Sequence, residues 1–472
     1  MSDVKTPKQI IMNAFDMNCV GHINHGLWTH PRDHSTEFNQ IQHWTEQAQL
    51  LEKGLFDGLF LADIVGVYDV YQNNIDLTLK ESIQLPSHDP LLLISAMAAT
   101  TQHLGFGVTV NLSYESPYLL ARRFSTLDHL TQGRIGWNIV TGYLDSAAKA
   151  MGFTELLAHD LRYDQAEEFL DVAYQLWESS WEDDAVLINK TQRVYAQPAK
   201  VHKIKHQGPY YQVAGYHLSA PSPQRTPLLF QAGASSRGTA FAAQHAECIF
   251  ISGNEKHITK QQVDTIRAQV QATGRDPDNV KILMGINVIV AETEIQAHEK
   301  YQEYLRYASP EAGLAHFSSS TGIDFAQYGL DEAIPYRSSN AIASVNDRFK
   351  HETITPRDLL EQHKLGGRYR LIIGSASQVA AELIDWVDQT GIDGFNLARI
   401  VTPESYADFI EWVVPELQQR KRYKTAYASG VWREKIFNTQ APYLNAPHPA
   451  GVWRTRKKDA HELPVTQERE LT

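Results

Sequence analysis

Along the chain, short apolar runs rich in valine, isoleucine, phenylalanine and leucine alternate with amphipathic stretches of helical length. A short apolar run bounded by turn residues suits a strand buried on both faces. The amphipathic stretches suit helices packed over such strands, so the alternation predicts parallel βα units. Strands are expected at Gln9–Met17, Phe56–Asp63, Leu104–Leu112 and Arg134–Thr141, then at Pro227–Gly233, Glu247–Gly253, Lys281–Ala291 and Asp393–Val401. Helices are expected near Thr36–Lys53, Pro90–Thr101, Pro117–Thr131 and Arg162–Glu178. Eight strands separated by helices point to an α/β fold closed as a TIM (β/α)8 barrel more than to an open sheet.

Three departures from a minimal barrel are expected. A polar insertion of roughly forty residues follows the fourth strand. The segment from Ser309 to Leu365 has weak periodicity and falls after the seventh strand, where long insertions commonly form active-site lids. The tail is polar and is expected to wrap the surface or a partner subunit. The organisation is therefore read as one barrel domain over residues 1–425, with 309–365 as a lid-like insertion, and an extension over 426–472.

Composition narrows the class. Of 472 residues, 43% are hydrophobic and 21% charged, which is enough apolar material for a large core. The formal net charge of −12 repels phosphate backbones and argues against nucleic acid as a partner. Two cysteines, Cys19 and Cys248, are too few for a disulfide framework or a four-thiolate iron–sulfur site. The N-terminal residues lack the apolar core of a signal peptide, and no apolar run reaches the roughly 18 residues that span a bilayer. The expectation is a cytoplasmic enzyme without membrane insertion.

Familiar motifs are mostly excluded. Gly105 and Gly107 lie inside a strand without the third glycine of a dinucleotide fingerprint. Gly233 to Gly238 has Walker spacing, but Thr239 stands where lysine is required. A Gly-x-Ser-x-Gly elbow, paired Glu-x-x-His ligands and His-Glu-x-x-His are all missing. His22, His25, His30 and His34 cluster after the first strand at spacings that match no familiar metal pattern, so no metal is expected. They read as pocket contacts or plain loop histidines.

In a barrel, ligand-binding groups gather at the C-terminal ends of the strands. Asp63, Asn111, Asn138 with Thr141, and Gly233 each break an apolar run there. Singly each suits a turn or cap; projected to one rim, they suit a site. Gly233-Ala-Ser-Ser-Arg opens a helix, and free N–H groups, two hydroxyls and an arginine suit a phosphate. An ordinary serine N-cap is the other reading, and Arg237 could pair with the phosphate or with an acidic neighbour.

Several longer stretches carry a family resemblance: NAFDMNCVGHINHGLW from Asn13, LADIVGVYDVY from Leu61 and RRFSTLDHLTQGRIGWNIVT from Arg122. To these are added HDLRYDQAEEFLDVAYQLWESSWEDDAV from His159, PSPQRTPLLFQAGASSRG from Pro221 and GIDGFNL from Gly391. Together they resemble the bacterial luciferase-like flavin-dependent monooxygenases, in the branch of nitrilotriacetate monooxygenase component A. Within it the likeness is strongest to the long-chain alkane monooxygenases and next to the dimethyl sulfide monooxygenases.

The resemblance implies reduced FMN bound non-covalently, O2 as cosubstrate and a flavin C4a-hydroperoxide as the oxygenating species. A separate NAD(P)H:FMN reductase would supply the reduced flavin, and the assembly would be a homodimer or homotetramer. Asp63, Asn111, Asn138, Thr141, His159 and Tyr163 match positions that hold the ring or ribityl chain. Ala234, Ser235 and Ser236 match the phosphate motif. Cys19, His22, Tyr68, Gln84, Tyr143 and His316 match the catalytic, substrate-facing side.

His316 favours terminal hydroxylation of a long-chain alkane, which is the expected reaction. The alternative is oxygenation of a small organosulfur compound such as dimethyl sulfide, left open by Tyr143, where the alkane-oxidising members have histidine and the dimethyl sulfide members have tyrosine. A phenol and an imidazole are different proton donors near neutral pH. Read without the resemblance, Cys19 suits a buried packing residue, and Tyr68 and Tyr143 suit large amphipathic side chains near a rim. Readings of another class are a deazaflavin-dependent hydride-transfer enzyme and a non-catalytic flavin-binding barrel.

Overall fold

A computed structural model describes residues 8–233, 235–253, 255–336, 349 and 352–460. Thirteen strands occur among them, numbered here in chain order. Eight form the barrel: β1 (Ile11–Met17), β2 (Gly58–Ala62), β3 (Gly105–Asn111), β4 (Ile135–Val140), β9 (Leu228–Gln231), β10 (Cys248–Ser252), β11 (Lys281–Ala291) and β13 (Gly394–Ala398). All pair in parallel, and β10 bonds β11 in the register Cys248 to Lys281, which closes the ring. Each expected strand is present, because a run apolar on both faces has no stable place except between a packed interior and a helical shell.

The interior is aromatic. Phe15, Phe60 and Phe230 meet edge to face, with ring centroids 5.5 and 5.4 Å apart. Below them lies the indole of Trp432, 5.3 Å from Phe230. Trp432 belongs to the polar tail, which therefore does more than wrap the surface, since its short helix Trp432–Phe437 closes the floor of the barrel. Gly58, Gly105 and Gly136 make room for that ring: a Cβ on Gly105 would stand 2.1 Å from it, and one on Gly58 2.5 Å.

The sequence pattern did not anticipate three features. Within the insertion after β4, two antiparallel hairpins form, β5 (Val186–Asn189) with β6 (Val194–Ala196) and β7 (Ile204–Gln207) with β8 (Gln212–Gly215). Their half-exposed residues give no strong alternation. A ninth parallel strand, β12 (Arg370–Ser375), pairs with the upper half of β11. That is possible because β11 runs eleven residues, longer than a barrel strand requires.

In the segment expected as a lid, the helices Pro310–Thr321 and Pro356–Gln362 pack around Leu314, Phe317, Phe325, Ile354 and Leu359. The segment's residues 337–348, 350 and 351 lie outside the described residues. Among the described residues no helix is long and apolar enough to cross a membrane.

Candidate active site

Parallel strands bring all their C-terminal ends to one rim, and there a cleft of about 920 Å³, mouth included, opens. Six of the expected cofactor residues line it: Asp63, Asn111, Thr141, His159, Tyr163 and Ser235. Tyr143, expected on the substrate side, lines it as well.

Asn138 is deeper. It is buried in the barrel and donates to Thr109 Oγ1 at 2.8 Å, while its Oδ1 has no partner among the described residues. Ser236 is exposed and absent from the cleft wall. Ala234 lies outside the described residues.

The end of the cleft below β9 is a tight backbone turn leading into the helix Ser236–His245. Ser235 Oγ caps that helix by accepting from the N–H of Gly238 at 3.0 Å. A Cβ on Gly233 would come within 3.0 Å of Gly238 Cα, and one on Gly238 within 2.7 Å of Tyr163 Oη. Only glycines allow this closeness, which leaves a cradle of N–H groups at a helix start.

Arg237 does not serve it, being paired with Asp164 at 3.0 Å and Glu167 at 3.3 Å. The cation on the wall is Arg162, which is buried and donates to Leu157 O. Arg162 and Gln231 were not foreseen: one sits inside a helical pattern and the other inside an apolar strand. Both Gln231 Oε1 and Asn138 Oδ1 are buried oxygens without partners among the described residues. The unpaired Gln231 oxygen beside the cradle fits a polar ligand with donors of its own, as a flavin's ribityl chain and ring have, while the cradle's N–H groups fit its phosphate.

Asp63 hangs into the cleft. Burial pushes its carboxyl up to about 7, against the hydrogen bond from the Ile64 backbone, with Asp89 adding repulsion. Gly142 turns the chain at φ +73, where a Cβ would meet the Asn111 amide at 2.5 Å. Asn111 itself spends its Oδ1 on the N–H of Ser113.

Tyr143 leads out of the cleft. Its hydroxyl lies 3.2 Å from that of Tyr68, which donates to Gln84 Oε1 at 2.7 Å. Gln84 donates in turn to the carbonyl of His22 at 2.7 Å. The Tyr68 ring tilts against His316 with centroids 4.5 Å apart. Burial, then Tyr143, raises the Tyr68 phenol well above its ordinary range. Gln84 holds φ +51, a left-handed backbone costly for a side chain of this kind, and three hydrogen bonds fix it there.

Four of the six substrate-side expectations thus form one hydrogen-bonded line, and His316 packs against it. His22 is held by its carbonyl, its ring lying 4.6 Å from Phe15, and burial lowers it to about 3. Cys19 stands apart from the line. Its thiol points to Gly21 O at 3.3 Å, and burial pushes it far above the usual thiol range, so it behaves as a packing residue and not a nucleophile.

The loop bearing Cys19 and His22 is anchored from β13's end. Arg399 pairs with Asp16 at 2.5 Å and donates to the carbonyls of Cys19 and Val20 at 3.0 and 2.7 Å. The four loop histidines diverge: His22 and His25 turn inward, His30 packs on Tyr304 and Tyr307, and His34 is exposed beside Glu37. Among the described residues no group of three or more histidine, cysteine or acidic side chains is placed to hold a metal.

Comparison with known proteins agrees with this geometry. Residues 23–394 match the luciferase-like monooxygenases. The dimethyl-sulfide monooxygenase of Hyphomicrobium sulfonivorans is 47% identical over 451 residues, covering 95% of this chain and 94% of that one. The long-chain alkane monooxygenase of Geobacillus thermodenitrificans is also 47% identical, over 448 residues, covering 95% and 98%. The crystal structure of a long-chain alkane monooxygenase superposes with a TM-score of 0.89 at 47% identity, covering 95% of this chain and all of that one.

The fold is that of a flavin-dependent monooxygenase, and the chain belongs to the luciferase-like monooxygenase family. The two 47% relatives are equally similar, so the ranking expected between the alkane and sulfide enzymes is not supported.

Proposed function

We propose that the protein is the oxygenating component of a two-component system. It would take reduced FMN from a separate NAD(P)H:FMN reductase and use O2 to oxygenate a small organosulfur compound. The observation that carries this reading is the hydroxyl contact between Tyr143, on the cleft wall, and Tyr68 at 3.2 Å. It joins the cleft to a buried cluster of a phenol, an amide and imidazoles, polar groups poorly matched to a long hydrocarbon.

Bound reduced FMN would supply the two electrons that activate O2. Asp63, Asn111, Thr141, His159, Tyr163 and Ser235 would hold the flavin, with Arg162 and the Gly233 to Gly238 cradle toward its phosphate. Tyr143 and Tyr68 would pass a proton between the cleft and the buried side chains beyond it, and Gln84 would fix the Tyr68 hydroxyl. The buried walls would exclude water from the reacting groups.

A second reading, terminal hydroxylation of a long-chain alkane, is favoured by His316, buried against Tyr68. Aerobic turnover with FMN, NADH and a flavin reductase, on dimethyl sulfide and on hexadecane with gas chromatography, separates the two. Sulfide cleavage to a thiol and an aldehyde supports the first; a primary alcohol from hexadecane overturns it.

A further inference from the structure

The helix His159–Tyr174 supplies two side chains to the cleft, His159 and Tyr163, and lies against the helix Ser236–His245 that opens at the cradle. Contacts between the two run in step along their length. At one end His159 Nε2 lies 3.3 Å from Ser235 Oγ, and further on the Tyr163 and Phe241 ring centroids are 5.4 Å apart. At the other end Tyr174 Oη is 3.2 Å from His245 Nδ1.

Between these ends stands Glu167. Its Oε1 accepts from Arg237 Nη1 at 3.3 Å, and its Oε2 is 2.6 Å from His245 Nε2. Arg237 is in the first turn of the helix Ser236–His245, and His245 is its last residue. One carboxylate therefore grips both ends of the helix whose start forms the cradle. Burial alone would raise the Glu167 carboxyl, but His245 and then Arg237 hold it below its ordinary range, so it is charged at neutral pH. A carboxylate only accepts, so His245 presents its Nε2–H to it.

Arg237 has a second tie to the same helix, through Asp164 at 3.0 Å. With that guanidinium held by two carboxylates, a phosphate at the cradle depends on the backbone N–H groups, and their aim depends on where the helix sits. Clearance there is small, since a Cβ on Gly238 would already stand 2.7 Å from Tyr163 Oη.

We infer that Glu167 is a positioning residue for the phosphate cradle. By tying Arg237 and His245 to the helix His159–Tyr174, it sets the cradle's N–H groups relative to His159 and Tyr163, which face the same cleft. The inference rests on the proposed flavin site and adds to it a residue that lies outside the cleft wall.

The test compares oxidised FMN with riboflavin, which has the same ring and ribityl chain but no phosphate, by fluorescence titration of the full-length protein. Wild type should bind FMN the more tightly. Glu167→Gln should weaken FMN by about tenfold, the loss expected for a charge-assisted hydrogen bond, and leave riboflavin within about twofold. His245→Leu should do the same. The end of the helix is roughly 13 Å from its start, so this variant reports on the helix and not on a direct contact with phosphate.

The double variant should lose little more than either single one, because both break one tie. His245→Gln, which still offers an N–H to Glu167, should restore most of the preference for FMN. Thermal melting without flavin verifies folding; should Glu167→Gln not fold, the two His245 variants carry the comparison. FMN and riboflavin weakened alike in folded variants, or neither weakened, overturns the inference. A wild type that binds riboflavin as tightly as FMN overturns the phosphate reading of the cradle instead, and the inference with it.

Discussion

Tyr143 and Tyr68 meet hydroxyl to hydroxyl at 3.2 Å, one on the wall of the rim cleft and the other buried beside His316. Neither side chain makes the connection alone, so the contact is where the cleft meets the buried line of Tyr68, Gln84 and His22. Replacing Tyr143 with phenylalanine keeps the ring and removes the hydroxyl. The expected result is a fall in kcat on the order of 100-fold with FMN affinity retained. Tyr68→Phe should give a similar loss and the double variant little more, because both remove one path. Steady-state kinetics of the four proteins check this; fully additive losses would show that the two hydroxyls act separately.

Asp63 gives a pH prediction. Its folded carboxyl titrates at about 7, above its ordinary value of 3.8, because burial disfavours the charge. A raised acid contributes stability that is fully present below its unfolded pKa and is lost as pH rises through the folded one. Without flavin, the protein should therefore lose stability between about pH 4 and 7 through this group. Asp63→Asn, which mimics the neutral acid, should be the more stable protein at pH 8, by on the order of a few kcal/mol. Thermal melts at pH 5 and pH 8 decide it, a constant difference between the two proteins being the contrary outcome.

The inward histidines act with the opposite sign. His22 and His25 are both lowered to about 3 from an ordinary 6.5. The unfolded chain binds their protons first, so their contribution is complete above about pH 6.5 and lost as pH falls toward 3. Stability should drop by on the order of 1 to 3 kcal/mol per pH unit in this window. His25→Phe should flatten the fall, as measured by denaturant unfolding at several pH values.

Arg399 is a structural prediction with a functional readout. Removing it as Arg399→Met leaves Asp16 buried and unpaired, and frees the carbonyls of Cys19 and Val20. A loss of about 3 to 5 kcal/mol is expected. Asp16→Asn in the same chain should recover part of it. Chemical denaturation of the single and double variants gives the coupling, and independent effects would show that the pair does not anchor the loop.

How much of this was legible in the residues depends on what each feature is made of. The eight barrel strands were, because Phe56–Asp63 or Lys281–Ala291 can hardly be anything else when both faces are buried. The rim residues were, because Asp63 and Asn111 interrupt apolar runs at strand ends. Trp432 was not: a lone aromatic in a polar tail gives no periodic signal, and its destination is set by three glycines far away in sequence.

Arg162, Gln231 and Arg399 were missed, and His25 was read only as a pocket or loop histidine, for a related reason. Their roles come from contacts across 291 residues in the case of His25 with His316, or 383 in that of Arg399 with Asp16. Ser235 carried two readings from the sequence, and its hydroxyl is an N-cap, accepting from the N–H of Gly238.

The central claim is that the cleft, joined through Tyr143 to the buried Tyr68, couples oxygen to substrate oxidation. A single-turnover experiment tests it most directly. The protein is loaded anaerobically with stoichiometric reduced FMN and dimethyl sulfide, then mixed with oxygenated buffer, and sulfide loss and hydrogen peroxide are both quantified. The account predicts sulfide loss approaching the amount of flavin oxidised, with little peroxide, and a shift to peroxide in Tyr143→Phe. Oxidation of the flavin with peroxide as the sole product in the wild-type protein would contradict it.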